Sequence, residues 1–195
     1  LASLRAIPNL NMVRPGDAAE TATAWLEILR RRGGPTGIAL TRQNIPVFER
    51  GVGEASGDVF ASAEGVARGA YILAEAANGT PDVILIATGS EVQLAVEART
   101  RLAAEGVQAR VVSAPCLEWF DEQDAAYREH VLPAAVTARV SVEAGISMPW
   151  RGIVGDRGRS ISIEHFGASA SFETLFEKFG ITTDAVVAAA HEVLG

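Results

Sequence analysis

Cysteine is nearly missing from this chain: Cys116 is the only one in 195 residues. No intrachain disulfide can form. With no signal peptide visible, this fits a reducing, cytoplasmic setting. Positive charge is also short, with 17 Lys and Arg against 24 Asp and Glu and a net charge of −7. Nucleic-acid surfaces need clustered cations on phosphates, so that class of partner is not expected. The one basic run, Arg30-Arg31-Arg32, falls where a helix should end, and cations there complement the helix dipole. No apolar run reaches membrane-spanning length, so no membrane partner is expected. His130, His165 and His191 show no metal-ligand spacing. There is no internal repeat and no low-complexity tract. An initiator Met is missing too. The chain opens on Leu1-Ala2-Ser3, and a longer parent protein is expected.

What is present reads as globular α/β protein. Hydrophobic content of 48% and charge of 21% are ordinary, and the length can bury a core. Residues 1–48 read as part of one α/β unit. Asn11 to Val13 is a short strand. Asp17 can cap the next helix, and Glu20 stands three positions later as in a capping box. Ala22, Trp25, Leu26 and Leu29 share one face of that helix. Gly33-Gly34-Pro35 stops it, and Ile38 to Leu40 gives a second strand. Two strands and one helix cannot cover both faces of a parallel sheet, so this unit needs further partners. Residues 49–61, Gly-rich and polar over Glu49 to Asp58, read as a linker. Gly51, Gly53 and Gly57 lack dinucleotide-fingerprint spacing.

A second domain is expected over 62–195. Ala70 to Ala74 and Val83 to Ala87 read as strands, and Asn78-Gly79 between them suggests a turn joining an antiparallel pair. Ser90 starts a helix with capping-box spacing to Gln93. Its buried face is Val92, Ala95, Val96, Leu102 and Ala103, and Gly106 ends it. Ala109 to Ser113, Arg139 to Glu143 and Ile161 to Ile163 are further strands. Helices are expected over Asp121 to Val131, Ser171 to Phe179 and Asp184 to Leu194. Strands alternating with helices imply a mostly parallel sheet flanked by helices, here with one antiparallel strand and preceded by a partial α/β unit.

Arg42 is the leading site candidate. It follows an apolar strand, and ligands of open α/β sheets bind at the strands' carboxyl ends. Its planar fork suits phosphate or carboxylate, but pairing with a neighbouring carboxylate is the commoner fate. Thr88-Gly89-Ser90 lies between a strand and a helix, where free N–H groups can hold phosphate, although Ser90 can satisfy those groups itself. Cys116 has nothing nearby to lower its pKa and reads as packing. His165, after a strand, also reads as packing. Glu143 ends a strand, and Glu118, Asp121, Glu122 and Asp124 cluster at a helix start. Capping and the helix dipole explain those acids better than acid–base chemistry does.

Several stretches resemble the transketolase family. Leu1-Ala2-Ser3-Leu4-Arg5-Ala6-Ile7-Pro8-Asn9 is similar to the segment after the family's acceptor-site loop. Arg14-Pro15-Gly16-Asp17 resembles its Arg-Pro-Ala-Asp helix start. Leu40-Thr41-Arg42-Gln43-Asn44 resembles its Leu-Ser/Thr-Arg-Gln. Ile86-Ala87-Thr88-Gly89-Ser90-Glu91-Val92 and Phe166-Gly167-Ala168-Ser169-Ala170 match two further stretches. The matches come in family order along the whole chain.

The resemblance implies a homodimeric, thiamine-diphosphate-dependent transferase. Such an enzyme moves a two-carbon ketol unit between sugar phosphates with Mg²⁺ or Ca²⁺. It implies that residues 1–48 end the pyrimidine-binding domain and that 62–195 form the C-terminal domain. Arg42 matches the arginine that binds the sugar's phosphate end. No catalytic, cofactor-binding or metal-binding residue of the family maps onto this chain. By itself, then, the chain is expected to lack ketol transfer and tight thiamine diphosphate binding. Two alternatives remain open: another thiamine enzyme, such as a deoxyxylulose-phosphate synthase or a dehydrogenase β subunit, or a non-catalytic α/β assembly module.

Overall fold

In the computed structural model, residues 1–55 and 59–195 are described. Ser56, Gly57 and Asp58, part of the expected linker, lie outside the described residues. A short helix α1 (Ala2–Arg5) leads to β1 (Asn11–Val13) and α2 (Ala18–Arg30). Asp17 caps α2 as expected: its carboxylate accepts from the Glu20 N–H at 2.8 Å. The Glu20 carboxylate returns to the Gly16 N–H at 2.7 Å, one residue before the usual capping-box position. The next strand, β2, is Thr36–Ile38 rather than Ile38 to Leu40. Its place is set by parallel pairing with the three residues of β1, Asn11 opposite Thr36 and Val13 opposite Ile38. This two-stranded sheet stands apart from the larger one. The helix face carrying Trp25, Leu26 and Leu29 is exposed, at 49%, 48% and 70%. The little α/β unit leaves its outer face bare, as its size required.

The larger sheet begins after a 3-10 turn at Ala63–Arg68. It contains β3 (Tyr71–Ala74), β4 (Val83–Ala87), β5 (Ala109–Ser113), β6 (Arg139–Val142) and β7 (Arg159–Ile161). Between them run α3 (Val92–Ala104), α4 (Leu117–Asp121), α5 (Ala125–Val131) and α6 (Arg151–Val154), and α7 (Phe172–Phe179) and α8 (Thr183–Leu194) close the chain. The strand order is β3-β5-β4-β6-β7, all parallel except β3. The single antiparallel strand was expected, but not its partner. β3 pairs with β5, not β4, because β5 inserts between them. Asn78-Gly79 does form a turn, with the Thr80 N–H on the Asn78 side chain at 2.9 Å, inside a connection too long for a tight hairpin.

Strand β4 shows why this sheet is covered on both faces. All five of its residues are buried. Val83, Leu85 and Ala87 point into a core shared with α3 and α8, and Ile84 and Ile86 into one with Val112, Phe120, Val131 and Trp150. Full burial of each large aliphatic side chain contributes about 1.5–3 kcal/mol. On α3 the buried residues are Val92, Ala95, Ala98 and Leu102; Ala98 replaces the expected Ala103, which faces solvent. The expected Ser90 cap does not form. Its hydroxyl donates to Glu91 at 2.6 Å, and a 3-10 turn over Gly89–Glu91 precedes α3. The expected helix Asp121 to Val131 is two helices, because Asp124 starts a new one by accepting from the Tyr127 N–H at 2.8 Å. Strand β7 lies two residues earlier than Ile161 to Ile163, in register with β6.

Candidate functional site

Parallel strands put their carboxyl ends side by side. The small sheet therefore sends two arginines out of the same edge, Arg14 after β1 and Arg42 in the segment after β2. The large sheet presents its own carboxyl edge to that place. In the large sheet β5 lies on one side of β4 and β6 on the other, which makes the β4–β6 edge the switch point where open sheets bind ligands.

Arg14 fills that crevice. Its guanidinium lies 2.7 Å from Glu91 and 3.7 Å from Glu143, and both carboxylates are buried. Arg5 donates to both oxygens of Glu143, at 3.0 and 2.8 Å, and the Trp150 indole N–H adds a bond of 2.5 Å. The Arg14 backbone is knitted in as well. Its N–H donates to the Pro115 carbonyl at 2.8 Å, and its carbonyl accepts from Gly89 N–H at 3.0 Å and the Thr88 hydroxyl at 3.1 Å. Burial works against the Arg14 charge, but Glu91 and then Glu143 outweigh it, so its pKa lies above the ordinary value. Thr88-Gly89-Ser90, weighed as a phosphate-binding turn, thus faces the chain's own arginine. Gly89 has φ +63°, and a Cβ there would stand 2.7 Å from the Arg14 guanidinium.

A second buried cluster adjoins the first. The Glu20 carboxylate accepts from the hydroxyls of Tyr71 and Ser113, at 2.6 and 2.7 Å. Arg50 bonds Asp17 at 3.0 Å and Tyr71 at 2.7 Å. Burial, then the Glu20 charge, pushes the Tyr71 hydroxyl well above its ordinary pKa. Arg50 belongs to the stretch expected to be a plain linker, yet its side chain is almost fully buried.

Arg42 differs. It is exposed and makes no hydrogen bond or ion pair among the described residues. It lies beyond the last residue of β2 rather than next to it. Thr41 and Gln43 bond to each other beside it.

The other candidates disperse. Glu118 accepts from the Met12 N–H at 3.3 Å, Asp124 is a cap and Glu122 pairs with Arg31 at 2.6 Å. Arg31 also stacks on Trp119 at 4.4 Å, while Arg30 pairs with Glu27 within α2. Burial pushes the Cys116 thiol up, in keeping with packing. His165 lies against Phe179, and His191 stands 2.8 Å from Glu105. Among the described residues no group of three or more His, Cys, Asp or Glu could hold a metal ion. Nor, among them, is any helix long and apolar enough to cross a membrane. Sequence reasoning missed the roles of Arg5, Arg14, Arg50 and Glu91. The only local signal was that Arg14, like Arg42, follows a strand.

Two family models match: "Transketolase, pyrimidine binding domain" over residues 1–47 and "Transketolase-like TK C-terminal domain" over 69–182. This chain belongs to the transketolase family. The transketolase of Mycobacterium tuberculosis is 54% identical over the whole chain, which spans 27% of that protein. The solved transketolase of Leishmania mexicana superposes with a TM-score of 0.85 at 40% identity, covering 99% of this chain and 26% of that one. A Pichia stipitis transketolase solved in complex with sedoheptulose-7-phosphate gives 0.84 at 33% identity, over 99% and 26%. The chain thus spans about a quarter of the length of these transketolases.

Proposed function

We propose that the whole protein is an active transketolase, a cytoplasmic homodimer that transfers a two-carbon ketol unit between sugar phosphates. Its cofactors are thiamine diphosphate and Mg²⁺ or Ca²⁺. Thiamine diphosphate, when bound, supplies the carbanion chemistry of such transfers. The described residues offer no donor set for the metal, so no chemical step is assigned to them through that group. In this reading residues 1–48 end the pyrimidine-binding domain, 49–61 link and 62–195 form the C-terminal domain.

The part played here is recognition. Arg42 binds the phosphate of the sugar. The observation that carries this is its exposed guanidinium, without a partner among the described residues, in the segment that follows a parallel strand's carboxyl end, in a chain of net charge −7 where carboxylates abound. The Pichia stipitis relative, held with a sugar phosphate, supports the choice of anion. A charge-assisted contact is worth about 1.5–3 kcal/mol. In the full-length enzyme Arg42→Ala should therefore weaken phosphorylated substrates about ten- to a hundredfold and spare unphosphorylated ones. Equal losses for both would refute the phosphate role. The chain by itself should transfer no ketol units, and turnover by a homogeneous sample would overturn that.

The exposed Trp25, Leu26 and Leu29 favour a second reading, in which the chain alone serves assembly. The full-length protein separates the two: ketol transfer by it supports the first reading, and self-association without any transfer supports the second.

A further inference from the structure

The segment that carries Arg42 hangs between two anchors, one at the last residue of β1 and the other at the N-cap of α2. At its start the Ala39 N–H donates to the Val13 carbonyl at 2.8 Å. At its end the Phe48 N–H donates to the Asp17 carboxylate at 3.2 Å, and Arg50 reaches the same oxygen at 3.0 Å. Between the anchors the segment is half-exposed or exposed.

Asp17 divides its oxygens between two tasks. Oδ1 accepts from the Glu20 N–H and starts α2; Oδ2, among the described residues, takes only the bonds from Phe48 and Arg50. A cap alone would not need the second oxygen, since Ser, Thr or Asn caps as well. Nor would it need a buried charge, which is costly without partners.

We infer that Asp17 is the positioning residue of Arg42. It pins the far end of the segment and so holds the guanidinium where a sugar phosphate meets it. This rests on the reading of Arg42 as the phosphate anchor. Small displacements of a positioning contact lower rates steeply.

The test uses the full-length enzyme with sedoheptulose-7-phosphate and with sedoheptulose as donors. The variants are Asp17→Asn, Arg42→Ala and the double. Asn keeps the capping oxygen but turns an amide toward the Phe48 N–H and Arg50. The expected result is a KM for the phosphorylated donor raised about tenfold in Asp17→Asn, with the unphosphorylated donor unaffected. The double variant should be no worse than Arg42→Ala, because the two act through one contact. If Arg42→Ala is itself unselective, the phosphate reading fails and the positioning role falls with it. If Arg42→Ala is selective but Asp17→Asn harms both donors equally, or adds fully to Arg42→Ala, the positioning role alone is overturned. Should Asp17→Asn not fold, Asp17→Ser, which caps but cannot reach Phe48, decides by the same readout. Failure of both to fold would make Asp17 a folding residue and overturn the inference.

Discussion

Arg14, directly after β1, and Arg42, in the segment beyond the parallel neighbour β2, meet opposite fates. Arg14 is buried between two carboxylates and closes the crevice of the large sheet. Arg42 is exposed and has no partner among the described residues. The residue type is the same, so the environment decides. A carboxylate that is itself buried needs a cation, because its desolvation is otherwise uncompensated. Glu91 and Glu143 therefore claim Arg14 and Arg5. Among the described residues no carboxylate pairs with Arg42, and its fork remains available for an anion from outside. The commoner fate of an arginine in this position is realised in this molecule, but by Arg14.

The sharpest way to break the contrast is Arg14→Leu. It takes the cation from Glu91 and leaves Glu143 with Arg5 as its one cation among the described residues, and should cost about 3–5 kcal/mol by urea unfolding. A loss below about 1 kcal/mol would mean that water enters the crevice. Tyr71→Phe tests the adjoining cluster. Losing bonds to Glu20 and Arg50 should cost about 1.5–3 kcal/mol at neutral pH. It should also change the alkaline limb. The folded pKa of Tyr71 lies above its unfolded value, so its stabilisation is complete below about pH 10 and is lost as pH climbs toward the folded pKa. The variant should lose less stability than the parent over that range. A residual slope remains from Tyr127, whose pKa burial also raises. Parallel stability–pH curves for the two proteins would contradict the Tyr71 assignment.

Gly89→Ala attacks Arg14 without touching its charge. The left-handed backbone and the close approach of the guanidinium should together cost about 1–3 kcal/mol, seen as a lower urea midpoint. Smallest of all, Arg42→Ala should change stability by less than about 0.5 kcal/mol while altering substrate preference as described above. A large stability loss there would show a partner for Arg42 and erase the contrast.

Much of the fold was legible because its causes are local. Five consecutive apolar residues, Val83 to Ala87, mark a strand buried on both faces. Asp17 and Glu20 mark the start of α2 within four residues. Tight packing on both sides then makes alternating strands and helices a parallel sheet. The family too was readable, from short stretches in the right order. What the sequence left open depends on distant neighbours. The Asn78-Gly79 turn could not say that β5 would come between β3 and β4, since strand insertion is decided by which faces must be covered. Trp25 and Leu29 are exposed because nothing among the described residues packs over them, not because of their own character.

The site divides along the same line. That Arg42 comes after a strand and carries a fork suited to phosphate is local chemistry, read from the residues around it. That Arg14 is spoken for and Arg42 is without a partner among the described residues is not. Arg14 finds Glu91 across 77 positions, and Arg5 finds Glu143 across 138. Ionic pairing depends on distance in space and on shared burial, and neither is set until the two sheets meet.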